Sequence, residues 1–286
     1  MIPALFEYVR ASSLDHASAL LAADENAKAL AGGMSLIPLL RLRLARPTTL
    51  VDIGPLRAEL SHVRDDGDVI ILGALTRHHD VAASAVLRER IPLLAHAAGL
   101  VGDPQVRHRG TIGGAVAHGD PAGDLPAVLC TLDATVVAQG PSGRREIAAA
   151  AFFRGFLETA LEPGELVAEL HVPVPPHGHG WAYTKFTRRA QDWATVAVAA
   201  VVERSGDAVS SAAVGLANMG ATPLRAAAVE AAMSGQGGAA IARAAEHAAE
   251  GTSPVSDLAA DAAFRRHLAR VLTRRTLAEA FDRANP

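Results

Sequence analysis

Residues 101–124 read VGDPQVRHRGTIGGAVAHGDPAGD, and this stretch limits how the chain can fold and what it can bind. Its centre, Gly110-Thr111-Ile112-Gly113-Gly114, is a turn with paired glycines. Glycine lets a backbone turn tightly and approach a ligand without a Cβ atom in the way. Several backbone N–H groups can then converge on one phosphate, and Thr111 adds a hydroxyl donor. The sequence therefore predicts a candidate phosphate-binding turn here.

A second turn of this kind, Ala31-Gly32-Gly33-Met34-Ser35, lies about eighty residues earlier. We expect Ser35 to cap the helix that follows, whose positive end would favour a bound phosphate. Taken singly, each turn is more often a tight connection between a strand and a helix. Neither turn matches the dinucleotide pattern G-x-G-x-x-G or the P-loop, so the sequence gives no support to a nicotinamide Rossmann site.

Apolar periodicity predicts an α+β protein. The patterns predict, in chain order, a helix at 14–23, a strand at 27–30, a helix at 36–44, strands at 50–53 and 69–72, helices at 81–87 and 93–98, strands at 135–138, 167–172, 195–202 and 209–216, and helices at 225–249 and 264–281. Residues 173–180, PVPPHGHG, are the strongest linker signal, because proline removes ladder donors and glycine ends regular structure. We expect the chain to divide there.

The composition of the chain limits the classes of protein to which it can belong. The chain has 286 residues and a formal net charge of −3, which gives no support to nucleic acid or an anionic membrane as a partner. Cys130 is its single cysteine, so the chain cannot ligate an iron–sulfur cluster alone, since that needs about four thiolates. We find no signal peptide and no apolar run of about 20 residues for a membrane span. A cytoplasmic protein is the expectation.

Two groups of histidine and aspartate could be read as metal ligands. His78-His79-Asp80 is better explained as the start of a helix near Val81. His118, Asp120 and Asp124 fit a ligand pocket better, because an Asp-Pro turn explains their spacing. We therefore predict no metal ligand, and no catalytic Ser-His-Asp or Cys-His set.

The longer pattern around both turns resembles a known family. The resemblance rests on residues 31–35, 42–47 (LRLARP), 107–114 and 118–124, and it continues into residues 183–194. These segments are similar to the FAD-binding subunit of the molybdenum hydroxylases, that is, the medium subunit of aerobic carbon monoxide dehydrogenase and its relatives. They also resemble the flavin domain of xanthine dehydrogenase.

The resemblance implies an α+β fold in two domains. Residues 1–177 would be an FAD-binding domain of the vanillyl-alcohol-oxidase (PCMH) type, made of subdomains 1–55 and 56–177. Residues 178–286 would be a smaller α+β domain of the carbon monoxide dehydrogenase flavoprotein type, with a sheet and helices.

The resemblance also implies which residues contact FAD. The two turns would bind the diphosphate, and Asp124 would lie by the adenosine, where a carboxylate accepts ribose hydroxyls. A backbone contact would fall at Val167, and Lys185 would lie near the flavin. Ala115 stands where the family usually has Asn or Ser, and Met34 replaces a frequently polar residue. The predicted cofactor-binding set is Ala31, Gly32, Gly33, Met34, Ser35, Thr111, Ile112, Gly113, Gly114, Ala115, Asp124, Val167 and Lys185.

By resemblance, the chain is an electron-transfer subunit of a hetero-oligomer. A large molybdopterin subunit would oxidise the substrate, and a small subunit with two 2Fe–2S clusters would pass electrons to FAD bound here. The protein would position the cofactor and tune its potential, with no catalytic residue of its own. Two alternatives stay open: a self-contained flavin oxidoreductase, and a scaffold subunit that has lost FAD.

Overall fold

The structure is a computed structural model that describes residues 2–285. Its N-terminal unit is a parallel sheet in the order β1-β3-β2 with helices beside it. The elements are β1 (Glu7–Arg10), α1 (Leu14–Ala23), β2 (Lys28–Leu30), α2 (Leu36–Arg41) and β3 (Thr49–Asp52). Helix α1 matches its predicted span, because Ser13 accepts a hydrogen bond from the His16 amide and so caps the first turn.

Helix α2 is shorter than predicted. It ends at Arg41 instead of residue 44, because Arg43 adopts a left-handed backbone with φ of 58°, which a helix cannot continue through. Leu40 is buried, whereas Leu44 is exposed. The last three residues of the predicted helix, 42–44, therefore lie outside it.

The central unit is a five-stranded antiparallel sheet in the order β4-β5-β10-β6-β7. Helices cover it, and a two-stranded ribbon, β8-β9, lies beside it. The elements are α3 (Arg57–Leu60), β4 (Val63–Asp65), β5 (Val69–Gly73), α4 (His78–Ala83), α5 (Ala85–Arg90), α6 (Pro92–Gly99), α7 (Pro104–Arg107), α8 (Ile112–His118), α9 (Asp124–Thr131), β6 (Thr135–Gly140), β7 (Gly143–Ala148), α10 (Ala149–Phe152), β8 (Phe153–Gly155), β9 (Glu158–Thr159) and β10 (Leu166–Pro173).

The helix predicted at 81–87 is two helices. Ser84 has an extended backbone and its side chain accepts a hydrogen bond from the Leu87 amide. Serine at this position caps a new helix instead of continuing the old one. The first helix begins at His78, with Asp80 in its first turn, so this His-His-Asp group is a helix start.

The C-terminal unit is a four-stranded antiparallel sheet in the order β11-β12-β13-β14, backed by helices. The elements are β11 (Gly180–Phe186), β12 (Val196–Ser205), β13 (Ala208–Ala217), β14 (Leu224–Arg225), α11 (Ala227–Met233), α12 (Ile241–Ala245) and α13 (Ala262–Arg283). The helix predicted over 225–249 is interrupted, since Gly235 has φ of 69° and residues 234–237 are not helical.

Arg265, near the start of α13, anchors this unit. Its side chain is fully buried and donates to the backbone carbonyls of Val255 and Thr195 and to the carboxylate of Asp257. The distance from Arg265 Nη2 to Asp257 Oδ2 is 2.6 Å. One guanidinium therefore joins the long helix, the loop before it and the chain entering β12.

The largest apolar core runs between the central and C-terminal sheets. It joins residues of β5 and β10, such as Leu72 and Leu170, to residues of β12, such as Ala199. Cys130, on α9, lies in this core, and burial raises the pKa of its thiol to about 12. Across residues 2–285, no helix combines the length and apolar character needed to cross a membrane.

Candidate cofactor-binding site

A cleft of about 410 Å³ collects residues from all three units. Twelve of the thirteen predicted cofactor-binding residues line it: Ala31, Gly32, Gly33, Met34, Ser35, Thr111, Gly113, Gly114, Ala115, Asp124, Val167 and Lys185. The exception is Ile112, whose side chain is fully buried in the core instead. The sequence pattern therefore brings together residues that lie up to 154 positions apart (31 to 185).

The first glycine turn offers free donors. Within residues 2–285, the amides of Gly32, Gly33, Met34 and Ser35 donate to no protein acceptor. Backbone N–H groups without a partner are rare away from water, and several in succession form an anion-binding concavity. Gly33 has φ of 77°, a conformation that favours glycine. The turn therefore has the donor set that a diphosphate requires.

Ser35 does not cap α2 through its side chain. Its backbone is already helical, with φ of −99° and ψ of −47°, whereas a capping residue needs an extended backbone to reach the amides beyond it. The expectation of a Ser35 cap was wrong. Among the described residues the Ser35 hydroxyl has no hydrogen-bond partner, and the residue lines the cleft.

The second glycine turn works differently from the first. Its amides are mostly engaged: Ile112 donates to Thr76 O, Gly113 to Ala74 O, and Gly114 to the hydroxyl oxygen of Thr111. In the described part of the chain, the Thr111 amide has no acceptor. Because the Thr111 hydroxyl accepts from Gly114, its hydrogen is free to donate. This turn thus contributes Thr111 as its main donor.

The two turns are in direct contact. A Cβ atom on Gly32 would lie 2.2 Å from Arg109 O, and one on Gly113 would lie 2.7 Å from Ala74 O. A Cβ on Gly114 would lie 3.8 Å from the Cβ of Ala31. Glycine at position 32 thus lets the two turns pack against each other, whereas Gly113 lets the second turn pack against Ala74, which follows β5.

Asp124 and Lys185 form a buried ion pair at the cleft. Lys185 Nζ lies 2.9 Å from Asp124 Oδ2, and both side chains are less than a tenth exposed. Tyr183 donates to the other oxygen, with 2.5 Å between its hydroxyl and Asp124 Oδ1. Burial raises the pKa of Asp124, and the Lys185 charge and the Tyr183 hydrogen bond oppose that rise. Burial and the Asp124 charge together raise the pKa of Tyr183 well above its usual value.

The three aromatic residues Trp181, Tyr183 and Trp193 do not form one cluster. Trp193 is 54% exposed and lines the cleft, with its ring centroid 6.5 Å from that of His118. Trp181 stacks under the Arg283 guanidinium, 4.4 Å from its ring centre. Tyr183 lies in the core. Trp193 lies in the loop that joins β11 to β12, so its position depends on the conformation of that loop.

The arginines of residues 41–47 do not line the cleft. Arg43 Nε donates to the carbonyl of Ile2, and Arg46 Nε donates to the carbonyl of Arg43. In the described residues, no group of three or more His, Cys, Asp or Glu side chains is arranged to hold a metal ion.

His78 is a buried histidine behind the second turn. Its amide donates to Gly110 O, and its ring nitrogen Nδ1 has no hydrogen-bond partner in the part of the chain described. Burial, with the nearby Arg107 charge, lowers the pKa of His78 to about 4. The imidazole is therefore neutral at physiological pH.

This histidine makes stability depend on pH. Because its pKa is lower in the folded chain than the unfolded value of about 6.5, the unfolded chain binds the proton first as pH falls. Stability is therefore lost below about pH 6.5. We expect the free energy of unfolding of the FAD-free chain to fall about 2 kcal/mol more than that of His78→Gln between about pH 7.5 and pH 5. Urea unfolding at both pH values measures this, and equal losses would contradict it.

Comparison with known proteins identifies the family. A model of the FAD-binding domain in molybdopterin dehydrogenase matches residues 4–175, and a model of the carbon monoxide dehydrogenase flavoprotein C-terminal domain matches residues 181–280. The chain is 41% identical to the carbon monoxide dehydrogenase medium chain of Hydrogenophaga pseudoflava, over 99% of both chains. The chain belongs to the FAD-binding medium subunits of the molybdenum hydroxylases.

Other relatives of this medium subunit act in different enzymes. It is 40% identical to subunit alpha of the 6-hydroxypseudooxynicotine dehydrogenase complex of Paenarthrobacter nicotinovorans, over 100% of this chain and 98% of that one. A solved structure of H. pseudoflava carbon monoxide dehydrogenase, which lacks the Mo-pyranopterin moiety, contains a chain that superimposes with a TM-score of 0.97 at 43% identity, covering both chains fully. The α+β fold and FAD as cofactor, both predicted from sequence, are thereby confirmed.

Proposed function

We propose that this medium subunit relays electrons within a molybdenum hydroxylase complex. It would receive them from the iron–sulfur clusters of a small partner subunit and deliver them to an external acceptor, while a large molybdopterin subunit oxidises the substrate. The observation that carries the proposal is the row of free amides at Gly32, Gly33, Met34 and Ser35, in a cleft that Thr111 also lines. With Cys130 as its single cysteine, the chain depends on another subunit for clusters.

Different residues of the cleft would bind different parts of FAD. The bound cofactor would supply the redox chemistry. The amides of the first turn and the Thr111 hydroxyl would donate to the diphosphate. Asp124 would accept hydrogen bonds from ribose hydroxyls with the lone pairs that Tyr183 and Lys185 leave free. Val167, on β10, would offer a backbone contact, and Lys185 would place a positive charge near the cofactor.

The proposal also covers the domains of the chain and the complex to which it belongs. Residues 1–177 and 178–286 would be its two domains, and a segment without regular structure, 174–179, separates β10 from β11. The complex would be a cytoplasmic hetero-oligomer. Relatives in enzymes with different substrates share about the same identity with this chain, which supports substrate selection by another subunit.

The visible spectrum of the purified chain tests the proposal. After reconstitution with FAD and removal of excess cofactor, we expect stoichiometric flavin absorption bands. Co-expression with its genomic neighbours should yield a complex that contains molybdenum and iron and reduces the flavin when substrate is added. A chain that binds no FAD would refute the proposal. A chain that oxidises a substrate without partners would support the self-contained oxidoreductase instead.

Ala115 gives a second prediction. It is half-buried on α8 and lines the cleft, and its amide donates to Thr111 O, so its methyl group offers the ligand no hydrogen bond. We expect Ala115→Asn to tighten FAD binding by about threefold to tenfold, the value of one ordinary hydrogen bond. Fluorescence titration with FAD measures this, with Ala115→Leu as a size control. An unchanged Kd for Ala115→Asn would contradict the expectation.

A further inference from the structure

We propose that Tyr183 is a positioning residue for FAD, which holds the Asp124 carboxylate in the orientation and charge state that the cofactor requires. The inference rests on the proposed function, in that Asp124 is taken to meet the adenosine ribose. It goes further by assigning the task to a residue that does not itself line the cleft.

Strand β11 delivers two donors to one carboxylate. Tyr183 and Lys185 are alternate residues and so lie on the same face of the strand, and they bind the two different oxygens of Asp124 at 2.5 Å and 2.9 Å. Thr184, between them, points the other way, with its hydroxyl 2.9 Å from that of Thr276 on α13. The strand is fixed by its register with β12, where Tyr183 pairs with Ala199.

The arrangement leaves Asp124 able to bind a ligand. An ionised carboxylate can accept about four hydrogen bonds, and the two side chains supply one each. The residue is the first of α9, so its backbone is fixed as well. Because Tyr183 is buried, its ring holds the hydroxyl in one place. The carboxylate is therefore oriented before any ligand arrives, and preorganisation of this kind reduces the cost of binding.

The hydroxyl also keeps the carboxylate charged. Burial raises the pKa of Asp124, and the Tyr183 hydrogen bond is one of the interactions that lower it, together with Lys185. Loss of the hydroxyl should therefore let Asp124 take up a proton at a higher pH and lose acceptor capacity. The other titratable side chains that line the cleft are Lys28, His78, His118, Asp120 and Asp192. They are unchanged in a Tyr183 variant, so their contributions cancel in a comparison.

The test is FAD affinity as a function of pH in Tyr183→Phe. We expect Kd to rise about tenfold at about pH 8, because Asp124 loses the hydrogen bond that orients it; a tenfold change corresponds to about 1.4 kcal/mol. We also expect the pH at which binding weakens to move upward. Tyr8→Phe is the matched control, because Tyr8 donates to Asp52 in the same way but outside the cleft. In an Asp124→Asn background, Tyr183→Phe should no longer change the pH profile.

Fluorotyrosine at position 183 is a smaller change than Tyr183→Phe, and it tests the same hydrogen bond in case Tyr183→Phe does not fold. The chain has two tyrosines, so in Tyr8→Phe the incorporation of fluorotyrosine alters Tyr183 alone. A ring fluorine beside the hydroxyl makes it a stronger donor, and we expect binding to persist to lower pH. If neither Tyr183→Phe nor fluorotyrosine shifts the pH profile, the inference is overturned while the proposed function stands. If the unaltered chain binds no FAD, the proposed function itself falls.

Discussion

Gly32→Ala should cost this subunit most of its affinity for FAD. The new Cβ would lie 2.2 Å from Arg109 O and 2.9 Å from the Cα of Gly110. Both atoms belong to backbone, so no flexible side chain can move aside, and the two turns must separate. Overpacking in a close-packed site costs about 1–3 kcal/mol. We therefore expect Kd to rise by up to about 100-fold, as measured by fluorescence titration.

Gly99→Ala is the control for this substitution. Gly99 ends α6, and a Cβ there would meet only Ala82 Cβ, at 3.9 Å, which is ordinary contact. We expect it to leave both FAD affinity and thermal stability unchanged. Equal affinities for Gly32→Ala and the unaltered chain would show that contact between the turns is not needed for cofactor binding.

Arg265→Met should produce the largest loss of stability. The change removes hydrogen bonds to the carbonyls of Val255 and Thr195 and leaves Asp257 without its cation. Asp257 is about half exposed, so the main cost is the buried Thr195 carbonyl left without its donor, about 1–3 kcal/mol. We expect the free energy of unfolding to fall by about that amount, measured by urea unfolding.

Arg274→Met, on the exposed side of the same helix, is the matched control. It makes the same change of side chain at a position where the guanidinium faces solvent, and we expect a change within about 0.5 kcal/mol. If both variants unfold at the same urea concentration, the anchoring role of Arg265 is refuted.

The fold could be predicted from sequence where a local pattern determines the element. Helix α1 matched because Ser13 caps it. Strands β12 and β13 matched to within a few residues because their apolar runs favour strands, whereas β11 and β14 were not predicted. Prediction failed where one residue's backbone decides the boundary. Arg43 has a left-handed backbone and ends α2, and Ser84 begins a new helix. The spacing of apolar residues predicts neither of these boundaries. Alanine richness likewise extended the predicted helix across Gly235.

The cleft, too, could be predicted only in part from the sequence. Glycine pairs at 32–33 and 113–114 are visible in the sequence, and family resemblance located Asp124 and Lys185. That those two side chains bind each other, and that Tyr183 completes the pair, depends on how β11 docks against α9. Ile112 lies in the same motif as Thr111 but faces the core, because side chains in a turn entering a helix point in different directions. Tertiary packing therefore determines which motif residues line the cleft.

The buried thiol of Cys130 has a practical consequence. With its pKa at about 12, almost none of it is thiolate at neutral pH, and the thiolate is the form that attacks maleimides and disulfides. Because the chain has no other cysteine, it behaves towards such reagents as a protein without thiols. A cysteine introduced by Trp193→Cys, on the rim of the cleft, would become a unique attachment point for a fluorescent or spin label that reports on cofactor entry.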